Sequence, residues 1–133
     1  MTTTLPKLLL IDDDADDQEI FLSALAFIDN SIHCTIATNG HDGLQHLSAT
    51  EEALPDLIFL DLNMPVMNGM QFLQEMKDNH LAKGVPVIIY STASDQQTIR
   101  QALELGAFQF YTKPEKFSEL VGMLHDLLYP ATR

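Results

Sequence analysis

Residues 57–69, which read LIFLDLNMPVMNG, place one carboxylate, Asp61, directly after an apolar run. The chain then reaches Pro65 and Gly69, two residues that are typical of turns. A short apolar run that ends in turn residues predicts a buried strand, so Asp61 stands where that strand ends. A carboxylate in such a place is costly unless a metal ion or a cationic side chain compensates its charge. Asp61 is therefore a candidate nucleophile.

Polar side chains follow other apolar runs of the chain as well. Asp12 and Asp13 come directly after the first run. Ser91 and Lys113 come after the last two runs. In isolation, Lys113 would be read as a surface lysine and Ser91 as a cap at a strand end. Because the same placement recurs at several strand ends, the sequence predicts one shared site.

An acidic site of this composition predicts a bound divalent cation. Three carboxylates that are forced together repel one another unless a cation stands between them. Oxygen-only ligand sets suit Mg²⁺, which takes one or two carboxylates and keeps several waters. We expect Asp13 and Asp61 to bind the ion directly and Asp12 to act through a water. The main-chain carbonyl of Asn63 is a candidate for a further oxygen.

With such an ion in place, Asp61 is predicted to accept a phosphoryl group and form an aspartyl phosphate. The transferring group carries dispersed negative charge, so the protein acts mainly by positioning and electrostatic stabilisation. Lys113 suits this task as a point cation, and the Ser91 hydroxyl suits it as a hydrogen-bond donor. Phe110 has two interpretations, a residue that packs on the sheet or an aromatic switch that reports phosphorylation by packing.

The elements that must position these residues alternate along the chain. Short apolar runs predict strands at residues 7–11, 56–60 and 87–90, and weaker patterns predict two more, at 33–37 and 107–111. An amphipathic stretch that predicts a helix follows each of them. Near-continuous apolar strands separated by such helices predict an α/β fold with a doubly wound parallel sheet. Ligands bind at the carboxyl edge of these sheets, which is where the polar residues are placed.

The first helix is predicted to open at Asp16 with an Asx cap and with Glu19 three residues later. We assign the acids of this stretch, Asp14, Asp16, Asp17 and Glu19, to capping and to the helix dipole. The core-facing side chains of this helix are predicted to be Ile20, Ala24, Phe27 and Ile28, with Phe21 and Leu25 alongside.

Composition narrows the function classes further. The 133 residues carry a formal net charge of -12, with 19 acids against 7 bases, which argues against direct binding of nucleic acid. No apolar run approaches the roughly 20 residues needed to cross a bilayer, and the N-terminus lacks the core of a signal peptide. Cys34 is the single cysteine, so a reducing cytoplasm is the expected compartment. The five histidines show no zinc-binding spacing.

The segments LLLIDDD, LIFLDLNMPVMNG, PVIIYSTAS and FQFYTKP, in this order, resemble a response-regulator receiver domain of bacterial two-component signalling, of the single-domain, chemotaxis-regulator kind. The resemblance covers about residues 5–129. It implies a (βα)5 flavodoxin-like fold with strand order 2-1-3-4-5. It also implies one receiver domain across residues 1–133, with no effector domain.

The resemblance implies a role for each residue of the predicted site. These roles are the acidic, Mg²⁺-binding pair Asp12 and Asp13, the phosphoacceptor Asp61, the switch hydroxyl Ser91, the aromatic switch Phe110 and the lysine Lys113.

Two positions depart from the family pattern. Ser91 stands where threonine is common, followed by Thr92 in place of a frequent alanine, so either hydroxyl is a candidate for the switch. Phe110 replaces a frequent tyrosine and therefore has no hydroxyl to signal with. The resemblance also makes the bond between Lys113 and Pro114 a candidate cis peptide, which would aim the lysine inward.

The function that follows is a stand-alone response regulator, not a multiple-turnover enzyme. A histidine kinase or a histidine phosphotransfer protein is expected to phosphorylate Asp61. An output protein is expected to bind the face formed by the fourth helix, fifth strand and fifth helix. The sequence leaves homodimer formation open. The alternative is a receiver-like interaction module that works without phosphate. A phosphatase of the haloacid dehalogenase type is disfavoured, because Asn63 stands where that chemistry needs a second acid.

Overall fold

The computed structural model of the chain describes residues 6–48, 54–93 and 95–130. Strands and helices alternate strictly within these residues. Their bounds are β1 Lys7–Ile11, α1 Ala15–Ile28, β2 His33–Ala37, α2 Gly40–Leu47, β3 Leu57–Leu60, α3 Gly69–Asp78, β4 Val87–Ser91, α4 Gln96–Glu104, β5 Gln109–Thr112 and α5 Phe117–Leu128.

The strands form one parallel, five-stranded sheet in the order β2-β1-β3-β4-β5, which confirms the predicted fold and strand order. Ile11 at the end of β1 is paired with Ala37 on one side and with Leu60 on the other. Since parallel strands in register end at the same level, Asp12 and Asp61 are carried to adjacent places at the carboxyl edge. Ser91 is paired with Thr112 in the same way, which brings Lys113 to this edge.

Helices cover both faces of the sheet, as the near-continuous apolar strands predicted. Side chains alternate across β1, so that Leu9 and Ile11 face one core and Leu8 and Leu10 face the other. The first core is closed by residues of α3 and α4, including Phe72. The second core is closed by α1 and α5, which lie beside each other.

The beginning of α1 differs from the predicted one. Asp14, and not Asp16, is the N-cap, and its side chain accepts a hydrogen bond of 3.0 Å from the backbone nitrogen of Asp17. The helix therefore begins at Ala15. From the sequence alone, Asp14 and Asp16 are equally good candidates for the cap. The turn that follows Asp12 gives Asp14 the extended backbone that a cap requires.

The buried face of α1 is also rotated from the predicted one. Phe27 is 74% exposed and Ile20 is 47% exposed, whereas Phe21 is fully buried. The ring of Phe21 packs edge-on against Phe59, at 5.0 Å, and against Tyr90, at 5.6 Å. These aromatic contacts with the sheet select Phe21 as the centre of the buried stripe, a preference that the spacing of apolar residues does not show.

The remaining element bounds follow the sequence closely. β4 extends to Ser91 and β5 begins two residues later than predicted, at Gln109. α2 ends at Leu47 with Ser48 as its C-cap, earlier than the predicted close at 53–55, of which residue 53 lies outside the described residues. The peptide bond between Lys113 and Pro114 is trans. Within the described ranges, no helix is long and apolar enough to cross a membrane.

Candidate functional site

Three carboxylates meet at the carboxyl edge of the sheet. One oxygen each from Asp12, Asp13 and Asp61 lies within 4.8 Å of the other two. Asp12 is fully buried and Asp61 is 5% exposed, while Asp13 faces solvent. The donor set consists of oxygen alone and is open to water on one side, which fits a hard divalent cation such as Mg²⁺.

Backbone groups hold the two buried carboxylates in place. The backbone nitrogen of Asp14 donates to Oδ1 of Asp12 at 2.9 Å. The backbone nitrogen of Asn63 donates to Oδ1 of Asp61 at 3.3 Å. The side-chain amide of Gln18, on α1, donates to the main-chain oxygen of Asp12 at 2.6 Å. The orientation of the acids is thus set by the turns that leave β1 and β3.

Lys113 reaches into this cluster from the end of β5. Its backbone nitrogen donates to the carbonyl oxygen of Ser91 at 2.8 Å, which continues the β4–β5 ladder. Its Nζ lies 2.9 Å from Oδ2 of Asp12 and 3.7 Å from Oδ2 of Asp61. The side chain is only 10% exposed. The predicted lysine is therefore beside the predicted phosphoacceptor.

Burial is the main cause of the pKa shifts of the two buried acids. It raises the pKa of Asp61 and of Asp12, although the charge of Lys113 partly offsets the effect. For Lys113, burial acts to lower the pKa, but hydrogen bonds to carboxylates outweigh burial and raise the pKa above its usual value. The lysine is thus firmly charged, whereas the buried acids favour a cation that relieves their mutual repulsion.

Two hydroxyl groups stand at the carboxyl end of β4, Ser91 as its last residue and Thr92 directly after it, and they occupy different environments. Ser91 is fully buried, and its Oγ accepts a hydrogen bond of 3.3 Å from the backbone nitrogen of Ala93. Thr92 is exposed, and its Oγ1 accepts from the amide of Asn63 at 3.5 Å, across the mouth of the site. The inner position of Ser91 suits the predicted switch hydroxyl better than the outer position of Thr92 does.

Phe110 is half-buried and packs against the core on the α3–α4 side of the sheet. It is paired with Ile89 of β4, two residues before Ser91. This position is compatible with both interpretations of Phe110, packing and switching.

The loop after Asp61 returns to the site through Gly69. The backbone nitrogen of Gly69 donates to the carbonyl oxygen of Leu62 at 3.0 Å. A Cβ at this position would lie 2.7 Å from the carbonyl oxygen of Asp61, so only glycine fits the close approach. Met64 is buried and Met67 is half-buried, as expected for side chains packed beneath this loop.

Asp17 and Tyr90 are two members of the site that the sequence did not reveal. Oδ2 of Asp17, on α1, lies 2.7 Å from Nζ of Lys113, and the Tyr90 ring centroid lies 5.3 Å from the same atom. The sequence pattern assigns Asp17 to capping and to the helix dipole, and Tyr90 to a strand. The one available signal was the position of Asp17 in a first helical turn that directly follows an acidic strand end.

The fold and the site together define a flavodoxin-like α/β domain with a cluster of acids and a lysine at the carboxyl edge of its sheet. The family comparison agrees: residues 8–125 match the response regulator receiver domain. The chain belongs to this family.

Curated relatives share this domain and are longer proteins. The chain is 36% identical over 124 residues to a protein-glutamate methylesterase/protein-glutamine glutaminase of Clostridium acetobutylicum, covering 92% of this chain and 34% of that protein. It is 35% identical over 114 residues to the probable C4-dicarboxylate response regulator DctR of Bacillus subtilis, covering 86% of this chain and 48% of that protein. The chain thus spans less than half the length of these relatives.

Solved structures of similar size share the whole fold. The Mn²⁺-bound form of response regulator Rcp1 has a TM-score of 0.82 at 26% identity, and the match covers 96% of this chain and 97% of the Rcp1 chain. The phosphorylated cyanobacterial phytochrome response regulator RcpA has a TM-score of 0.82 at 29% identity, with coverages of 97% and 98%.

Proposed function

We propose that this receiver domain is a phosphorylation switch in which Asp61 accepts a phosphoryl group from a histidine kinase or a histidine phosphotransfer protein. The observation that carries the proposal is the position of Asp61. It lies within 4.8 Å of two further carboxylates and 3.7 Å from a buried lysine.

Asp12, Asp13 and Asp61 would hold Mg²⁺, together with the main-chain carbonyl of Asn63. When bound, this ion supplies positive charge that compensates the carboxylates and the oxygens of the incoming group. The all-oxygen cluster supports this assignment, and so does the manganese in the structure of the related Rcp1. Asp13 and Asp61 remain the proposed direct ligands.

The chain's own residues carry out the transfer by positioning. A carboxylate oxygen of Asp61 forms a bond to phosphorus while the bond from phosphorus to the donor's imidazole nitrogen breaks, and the imidazole leaves with the electron pair. Lys113 stabilises the charge that is spread over the phosphoryl oxygens. The phosphorylated state of the related RcpA supports this outcome.

Phosphorylation is then read out through β4 and β5. The Ser91 hydroxyl accepts from Ala93, so its own hydrogen can donate to a phosphoryl oxygen. Movement of Ser91 would alter the packing of Phe110 and shift a two-state equilibrium at the face of α4, β5 and α5. An output protein that binds this face would sense the shift. A location in the cytoplasm and the lack of multiple turnover stay predictions.

Intact-mass measurement after incubation with Mg²⁺ and acetyl phosphate tests the proposal. We expect one phosphoryl adduct in the wild type and none in Asp61→Asn. Asp78→Asn, at the exposed end of α3, is the matched control and should retain the adduct. If Mg²⁺ binds but no adduct forms, the domain is instead an interaction module that works without phosphate.

A further inference from the structure

Two carboxylates, neither of them Asp61, engage the ammonium group of Lys113 at hydrogen-bond distance. Nζ lies 2.7 Å from Asp17 and 2.9 Å from Asp12, whereas its distance to Asp61 is 3.7 Å. An ammonium has three hydrogens to donate. Two are directed to Asp17 and Asp12, and only the third remains for the phosphoacceptor side.

Asp17 is held in position to keep this bond. It lies in the first turn of α1, where its backbone nitrogen donates to the Asp14 cap at 3.0 Å. Its side chain is 35% exposed, and the Lys113 side chain that it contacts is only 10% exposed. Asp17 is not part of the three-carboxylate cluster that fits a cation. The phosphoryl transfer proposed above assigns it no task.

A phosphoryl group on Asp61 changes the competition for Lys113. It brings a charge of about -1.5 to -2 and three strong acceptor oxygens close to Nζ. Lys113 must then divide its hydrogens and its charge between this group and the carboxylate on α1. The free hydrogen can serve one phosphoryl oxygen, and any further bond to the phosphoryl group weakens the bonds to Asp12 and Asp17.

We propose that Asp17 is a positioning residue that competes with the phosphoryl group for Lys113 and thereby limits the stability of the aspartyl phosphate. The inference rests on the proposed phosphorylation of Asp61. It goes beyond that proposal, because it gives α1 a part in setting how long the signal lasts.

The test compares Asp17→Asn with the wild type and with Asp16→Asn. Asp16 carries the same charge in the same helical turn but is exposed. It therefore controls for the general effect of removing a negative charge. We expect Asp17→Asn to raise the fraction phosphorylated at subsaturating acetyl phosphate and to lengthen the adduct half-life about fivefold, the effect of one partly exposed ion pair. Asp16→Asn should stay close to the wild type.

Asp17→Glu keeps the negative charge and is expected to restore the short half-life. Such a rescue would show that the charge sets the half-life, because an effect of helix packing would not be reversed by the longer side chain. Equal half-lives in Asp17→Asn and Asp16→Asn, a shorter half-life in Asp17→Asn, or an Asp17→Glu half-life as long as that of Asp17→Asn would each overturn the inference. A wild type that forms no adduct would instead overturn the proposed function. Thermal unfolding of each variant verifies that the fold is retained.

Discussion

Leu10 on β1 and Asp12 at the carboxyl edge of the sheet are both fully shielded from solvent, but burial acts on them in opposite directions. Burial of Leu10 removes apolar surface from water and stabilises the fold. Burial of Asp12 removes a charge from water and raises its pKa. β1 thus contributes Leu10 to the core that stabilises the protein, and the residue directly after β1, Asp12, belongs to a site that lowers stability.

The largest effect should come from the core. Phe59 is fully buried against Phe21, and Phe59→Ala is expected to lower the free energy of unfolding by about 3–5 kcal/mol through loss of burial and creation of a cavity. Phe27→Ala, at a side chain that is 74% exposed, is the control and should change stability little. Urea denaturation measures both. Comparable losses would show that the core does not dominate stability.

The second prediction concerns the backbone that joins the core to the site. Gly69→Ala forces a Cβ to within 2.7 Å of the carbonyl oxygen of Asp61 and should lower the free energy of unfolding by about 1–3 kcal/mol. It should also reduce phosphorylation, since Asp61 must shift. Gly122→Ala, in α5, meets no atom within 4 Å and is expected to stabilise the protein slightly. Urea denaturation and intact-mass measurement compare the two variants. A Gly69→Ala protein that is as stable and as readily phosphorylated as Gly122→Ala would contradict the prediction.

The third prediction tests the cost of the acidic edge. Without divalent cations, Asp61→Asn should raise the free energy of unfolding by about 1 kcal/mol, because it removes a buried charge and leaves Lys113 its bonds to Asp12 and Asp17. Stability measured in a chelator at neutral pH checks this change. A loss of stability in the variant would mean that the pairing of Asp61 with Lys113 outweighs burial.

The pH dependence of that difference has a definite sign. Burial raises the pKa of Asp61 in the folded state above its unfolded value, so the folded protein holds a proton more tightly. The unfavourable contribution is fully present above the folded pKa and is relieved as pH falls towards the unfolded value. The advantage of Asp61→Asn over the wild type should therefore shrink as pH is lowered.

The smallest effect should come from the helix cap at Asp95. Hydrogen bonds from the hydroxyl and the backbone nitrogen of Thr98 hold the pKa of this exposed carboxylate below its usual value. Asp95→Ala should lower the melting temperature slightly at neutral pH. The difference should disappear as pH falls through the depressed pKa, because the protonated carboxyl loses its advantage in the folded state. A difference that persists in acid would point to helix propensity instead of charge.

Most of the fold was predictable from local patterns. Apolar runs of four or five residues indicated β1, β3 and β4, because parallel strands that are buried on both faces need such runs. β2 and β5 lie at the edges of the sheet, and their mixed sequences showed weaker patterns. The face of α1 was predicted wrongly, since Phe21 and Phe27 are equally apolar in sequence. Only the aromatic contacts of Phe21 with Phe59 and Tyr90 distinguish them.

The sequence by itself determined which residues meet at the carboxyl edge. Asp12, Asp61 and Lys113 each follow a strand and Ser91 ends one, and parallel strands in register must bring their ends together. The tertiary structure alone decided how Lys113 distributes its hydrogen bonds. Asp17 lies 96 residues away in the chain, and its approach to within 2.7 Å depends on how α1 packs beside the sheet. That packing depends on contacts between residues that are far apart in the chain, both apolar contacts and ion pairs. The local spacing of residues does not encode such contacts.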